Sequence, residues 1–318
     1  MSYYKHHIFF CLNQRNNGES CCAQQGTQAA FDHAKAKVAY DFSPTVRASY
    51  TLATWQNTSE GRSQSYLSNA FGQTVTTGVV NIDGRSYAAL SGADFALTNE
   101  KLTHTLHGFS VKSRTQGVFD WEVAASLYDY GSDTKRQNAA SNTLPNAASG
   151  GAGTIADGSG TGWNNLALRG TWRPQGPKGE HVVDFGAQQD NYKLRYLTSN
   201  IAGNWTTDAA GTVASEVGGR TQLQSLYGQD TWRFAPDWRA VLGLRAEHWS
   251  ATQGLTRFSA SSNLAFADRS ENHWSPKAAL SKQIAEDAFV KYAVGRAVRM
   301  PTVYELYGAT STAQSSYI

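Results

Sequence analysis

His273-Trp274-Ser275-Pro276-Lys277-Ala278-Ala279-Leu280-Ser281-Lys282, a break at Ala285-Glu286-Asp287, then Phe289-Val290-Lys291-Tyr292-Ala293-Val294-Gly295-Arg296-Ala297-Val298-Arg299 form the stretch whose reading decides the fold. Val290, Tyr292, Val294 and Val298 share one side of a two-residue period, while Lys291, Ala293, Gly295, Ala297 and Arg299 share the other. Two antiparallel strands meeting at a short turn, apolar on one face and small or polar on the other, satisfy that pattern. Pro301 cannot donate to a ladder, so the strand is expected to run to Arg299 and leave as a loop through Thr302-Val303-Tyr304-Glu305-Leu306-Tyr307.

The same alternation recurs upstream as four more hairpins. Ala36 to Phe42 pairs with Val46 to Leu52; Lys101 to Val111 with Val118 to Asp129; Trp163 to Arg173 with Glu180 to Tyr192; and Thr221 to Arg233 with Trp238 to Ser250. The expectation is about ten strands of roughly ten residues, a length that crosses a bilayer when tilted. Connections alternate without exception. Ser43 to Thr45, Lys112 to Gly117, Pro174 to Gly179, Phe234 to Asp237 and Ala285 to Asp287 are short, whereas Asn57 to Glu100, Tyr130 to Gly162, Leu197 to Arg220 and Ala251 to Glu271 are long and polar. Short turns at one end and long loops at the other are the habit of outer-membrane barrels.

Composition agrees. Charged residues make up 17% of the 318 residues and aromatic residues 12%, a low charge for a soluble domain. No run of 18 apolar residues exists, which excludes a transmembrane helix but not a barrel. A net charge of +3, with basic residues scattered, points away from nucleic acid. The three cysteines, Cys11, Cys21 and Cys22, lie in an N-terminal segment, residues 1–33, that shows no strand pattern and no recognisable secretory signal; it reads as disordered or out-of-frame sequence. Residues 34–318 form the barrel part. Trp55, Tyr128, Trp163, Tyr196, Trp249 and Trp274 beside the long loops, and Phe119, Trp172, Trp232 and Trp238 beside the short turns, are expected to form two interfacial girdles.

The order Ser275-Pro276-Lys277, then Gly295-Arg296-Ala297-Val298-Arg299, then Pro301 to Glu305-Leu306-Tyr307, resembles the barrel domain of TonB-dependent outer-membrane receptors. An upstream pair, Gln229-Asp230-Thr231-Trp232 and Gly243-Leu244-Arg245, resembles a second segment of that family in the expected place. The resemblance implies an all-β, antiparallel transmembrane barrel, incomplete here, with about ten of about 22 strands and no plug domain before Ala34. It also implies a receptor in the outer membrane, contacting its lipid, that imports a ferric siderophore or similar large nutrient with TonB, through a segment missing here. The motif residues are read as structural.

No catalytic, cofactor or metal site is expected, and the protein is read as no enzyme. His104 and His107 point to opposite faces of a strand and cannot share a metal. Asp120 with Glu122, and Asp184 with Asp190, suit a hydrated lumen better than a carboxylate pair across a cleft. Arg47, Glu122, Arg169, Arg239, Arg245 and Glu247 are the candidates to face that lumen, and Tyr66, Phe71, Arg85, Tyr87, Trp205 and Arg257 are the loop candidates for ligand contact. Two other readings stay open: another outer-membrane barrel such as a porin or adhesin, or a soluble carbohydrate-binding or hydrolytic all-β domain.

Overall fold

The structure, a computed structural model, describes residues 34–69 and 71–308. The segment 1–33 and its cysteines lie outside the described residues. The expected ten lanes are present in the expected order. They are β1 (Ala34–Ser43), β2 (Val46–Arg62), β5 (Leu97–Ser113), β6 (Phe119–Asn138), β8 (Gly162–Trp172), β9 (His181–Ile201), β10 (Val213–Ala235), β11 (Trp238–Arg257), β13 (Arg269–Gln283) and β14 (Phe289–Gly295). Each pairs antiparallel with its sequence neighbour, and β1 and β14 are the edges of an open sheet.

The long connections hold more structure than their composition suggests. β3 (Gly78–Ile82) and β4 (Arg85–Leu90) form a separate hairpin, and β12 (Asn263–Ala265) extends the ladder of β11. β7 (Gly153–Asp157) lies between β6 and β9, in the lane that β8 occupies nearer the short turns. β7 and β8 are therefore one lane broken at residues 158–161, where Gly160 takes φ +79°. β6, β9, β10 and β11 reach 20, 21, 23 and 20 residues, so they stand well beyond a membrane-spanning length.

Register sorts every long strand into the same two faces. Following Leu168 across the sheet, its partners are Val123 and Ala187, then Val111 and Ala48 on one side, and Leu226, Ala246 and Trp274 on the other. The adjacent row on this face contains Trp121, Gly170, Phe185, Gly228 and Leu244. All of this is apolar and open to the surroundings: Leu226 is 66% exposed, Leu242 58% and Trp274 57%. On β6 the apolar run from Phe119 to Leu127 covers nine positions, about 30 Å of strand. At a strand tilt of about 40° that spans roughly 23 Å, the height of an outer-membrane lipid band. A soluble sandwich buries such a face; here it is presented outward.

The lower girdle lies where the sequence places it, since Phe119, Trp172, Trp232 and Trp238 are all on the apolar face. The upper girdle does not. Trp55, Tyr128, Trp163, Tyr196 and Trp249 occupy the opposite, polar face, and only Trp274 of that set is on the apolar one. Proximity to a loop was the basis of that expectation, but parity along the strand decides the face.

The last strand also ends sooner than expected, at Gly295 and not Arg299. Pro276 on β13 is the cause. Arg296 N–H donates to the Pro276 carbonyl at 2.9 Å, and Pro276 has no N–H to return to Arg296, so the ladder stops at that pair. After Pro301 the chain forms a short helix, α1 (Val303–Tyr307), where a loop was expected. Thr302 and Glu305 form a reciprocal capping box that starts it.

Candidate functional site

Opposite the apolar face lies a face of charged, amide and aromatic side chains. All six candidates for the interior, Arg47, Glu122, Arg169, Arg239, Arg245 and Glu247, are on it. Near the short turns, Arg47 pairs with Asp41 at 2.6 Å, and Arg169 reaches Asp184 at 3.2 Å. Glu122 lies between Lys112 and Arg169 in register. Arg173 and Asp120 pair at 2.9 Å. Asp120 also accepts from Ser113 and Thr115, so this end is closed by a hydrogen-bonded network.

Midway up, the motif residues are placed on both faces. Arg245 donates from Nε to Glu247 at 2.9 Å and from Nη2 to Ser225 at 2.8 Å; Ser275 donates to the other Glu247 oxygen at 3.2 Å. The guanidinium also sits 5.9 Å from the centroid of Tyr227. Tyr227 lies over Gly186, and the Lys277 stem lies over Gly243, where an added Cβ would stand 2.7 Å from Lys277 Cε. These glycines are seats for the long side chains of the next strand. Gln229 shares this face, whereas Asp230, Trp232 and Pro276 are on the apolar one, where Asp230 pairs with His181 at 2.7 Å and Trp232 stacks on His181 at 5.7 Å.

Toward the long loops the polar face becomes aromatic. Trp55 meets His104 edge-on at 4.9 Å, His104 stacks on Tyr130 at 3.8 Å, Tyr128 stacks on Trp163 at 4.2 Å, and Trp163 approaches Tyr192 at 6.5 Å. His104 is buried and bonded to Tyr128 Oη at 3.0 Å and to Asp133 at 3.1 Å, which fixes its ring. His107 is on the other face, bonded to Tyr50. Closeness to the long loops assigns the members of this belt to lipid, whereas their strand parity relative to Leu168 and Leu226 puts them on the polar face.

The belt ends at Trp249, which is covered by α1. Val303, Leu306 and Tyr307 pack on Trp249 and Ala251, all at 2% exposure or less. Arg299, Pro301 and Glu305 thus fold the chain back over β11 and β10. Arg299 holds Glu305 with two bonds of 3.0 Å, and Thr302 N–H adds one of 2.8 Å. The Arg299 bond first, and then the Thr302 bond, hold the Glu305 carboxyl at about 2, below its ordinary value of 4.5. A depressed folded-state value contributes stability above the unfolded one and loses it as pH falls through the folded one. Amide protection at Leu306 and Gly308 is therefore expected to be constant above about pH 4.5 and to fall progressively toward pH 2, measured by hydrogen exchange.

Of the loop candidates, Trp205 is buried, not presented. It packs with Leu97 and Ala147, donates Nε1–H to the Ala147 carbonyl at 2.9 Å, and carries Arg62 at 5.9 Å from its ring. Arg257 pairs with Glu216 at 3.1 Å. Tyr66, Phe71, Arg85 and Tyr87 are exposed. No group of three or more His, Cys, Asp or Glu able to hold a metal is present among the described residues.

An antiparallel sheet with a lipid-height apolar face, a zoned polar face and long loops at one end defines an outer-membrane type of barrel sheet. A sequence profile described as "TonB dependent receptor-like, beta-barrel" matches residues 28–317, and the chain belongs to that family. A search of curated proteins finds no match. Similar solved structures include the alcaligin outer-membrane receptor FauA from Bordetella pertussis, with 10% identity and a TM-score of 0.48 over 81% of this chain and 34% of that one. The ferric yersiniabactin uptake receptor FyuA from Yersinia pestis is similar at 11% identity and a TM-score of 0.45, over 81% of this chain and 43% of that one. The copper transporter OprC is similar at 12% identity and a TM-score of 0.49, over 87% of this chain and 46% of that one. The chain spans between about a third and just under half of the length of these structures.

Proposed function

We propose that the chain supplies part of the barrel wall of an outer-membrane transporter that works with TonB to import a ferric siderophore or a similar large nutrient. The carrying observation is the inward turn of the aromatic belt. Trp55, His104, Tyr128, Trp163 and Tyr192 form a continuous aromatic row on the polar face beside the long loops. A row of rings at that height suits the stacking of flat, conjugated chelating groups. Asp184, Glu122 and Arg169, nearer the short turns, keep the lower interior hydrated. The motif residues from Gln229 to Tyr307 then serve to hold wall and strap in place.

The test is a tryptophan-fluorescence titration of the refolded chain with ferric siderophores of catecholate and hydroxamate type. Saturable quenching is expected with at least one class, weakened about tenfold when Trp163 becomes Ala, the loss of one stacking contact worth about 1.4 kcal/mol. Linear, non-saturating quenching with every class, unchanged in the variant, contradicts the proposal.

A further inference from the structure

The aromatic row does not stop where its open rings stop. Trp163 is 39% exposed, whereas Trp249, on the same polar face, is 2% exposed. Tyr192 joins the two, since it approaches Trp163 at 6.5 Å and packs against the cluster of Trp249, Val303, Leu306 and Tyr307. What closes the upper end of the row is the chain's own α1.

That closure is centred on one ring. Tyr307 fills a slot between Gly219 and Gly254, with Phe266 beside it at 4.9 Å. A Cβ at Gly219 would stand 2.6 Å from Tyr307 Cε2, and a Cβ at Gly254 would collide with the ring as well. Two missing side chains thus give the slot the width of a flat six-membered ring. The Tyr307 hydroxyl is buried with no hydrogen-bond partner among the described residues, so the slot suits the carbon part of the ring and not its oxygen.

Little besides this packing keeps α1 down. Five residues are too few for a helix to persist without tertiary contacts. The Arg299–Glu305 pair and the Thr302 cap lie within the strap and hold it to itself, not to the sheet.

We propose that α1 is a built-in competitor: the Tyr307 ring keeps the place of an aromatic ring of the ligand, which enters the slot from the row and lifts the strap. The proposal rests on the reading of the row given above and names the ligand class, iron(III) held by catecholate rings. Such a ring binds the metal through two adjacent oxygens and presents an all-carbon edge on its opposite side, which is what the slot takes. An acyclic hydroxamate has no ring to place there. Lifting α1 also opens Trp249 to the row.

The experiment uses the full refolded chain and two probes, ferric tris-catecholate and ferric acetohydroxamate. Binding is read from tryptophan fluorescence, and the strap from hydrogen exchange at residues 302–308. Catecholate is expected to bind the native chain saturably and to accelerate exchange in the strap. Tyr307→Ala, which empties the slot, should bind it about tenfold tighter, the gain expected if the native strap leaves the slot open in about a tenth of molecules. Gly254→Ala should free the strap as well but fill the slot, and show no such gain. Acetohydroxamate should gain nothing from either substitution. Native affinity for catecholate in Tyr307→Ala, an equal gain in Gly254→Ala, an equal gain for acetohydroxamate, or unchanged strap exchange on catecholate addition overturns the proposal. Catecholate that binds saturably to neither the native chain nor Tyr307→Ala overturns it too. If acetohydroxamate is also not bound, the reading of the row falls with it.

Discussion

Replacing Tyr307 with alanine releases α1 from the sheet and uncovers Trp249. The Tyr307 ring fills a slot between Gly219 on β10 and Gly254 on β11, where a Cβ at either position would collide with it, and it packs on Phe266 at 4.9 Å. Thr256 Oγ1 donates to the Tyr307 carbonyl and closes the end. Removing a buried aromatic side chain costs about 3–5 kcal/mol. A five-residue helix has no stability of its own to set against that loss. Hydrogen exchange at residues 302–308 should therefore accelerate to nearly the unfolded rate in Tyr307→Ala, while exchange in β9 and β10 near the short turns stays unchanged. Tyr307→Phe should keep the native pattern, because the hydroxyl is buried with no hydrogen-bond partner among the described residues. Unchanged exchange at 302–308 in the alanine variant contradicts this account of the strap.

Arginine at Leu168 abolishes stable insertion, whereas arginine at the adjacent Ala167 is tolerated. Leu168 is central to the apolar band, between Val123 and Ala187. Placing a cation there costs about 2–4 kcal/mol at the bilayer midplane. Ala167 faces the other way, paired with Ala124 and Gln188 on the face that already holds Arg169 and Asp190. Folded fraction in vesicles, measured across a urea series, should drop sharply for Leu168→Arg and change little for Ala167→Arg. Equal effects of the two substitutions contradict the face assignment.

Much of this architecture was legible because a two-residue period carries both the strand and its orientation. The hairpin turns at Ser43 to Thr45 and Ala285 to Asp287, the ten lanes, and the facing of Arg169 against Leu168 all follow from alternation and local turn chemistry. What was not legible depends on a neighbour in space. β14 stops at Gly295 because of a proline on β13, and no property of residues 289–299 reveals that. The α1 segment is too short for periodicity to show, although Thr302 with Glu305 is a capping pair. β7 lies in a glycine-rich stretch whose ladder depends on partners in β6 and β9. The aromatic belt was within reach, since counting parity from Leu166 puts Trp163 on the polar face. Trp205 was not, because its burial depends on loop packing against Leu97 and Ala147.

The central claim is that the face holding Leu168, Leu226 and Leu244 meets lipid while the face holding Arg169, Arg245 and Glu247 meets water. A spin-label scan of β8 from Asn165 to Trp172, in bilayers and with Cys11, Cys21 and Cys22 replaced by serine, tests it most directly. The account predicts strict alternation: labels at Leu166, Leu168, Gly170 and Trp172 collide with dissolved oxygen, and labels at Asn165, Ala167, Arg169 and Thr171 collide with a water-soluble relaxant. Equal water access at all eight positions, as a soluble sheet would give, or the reverse alternation, would contradict it.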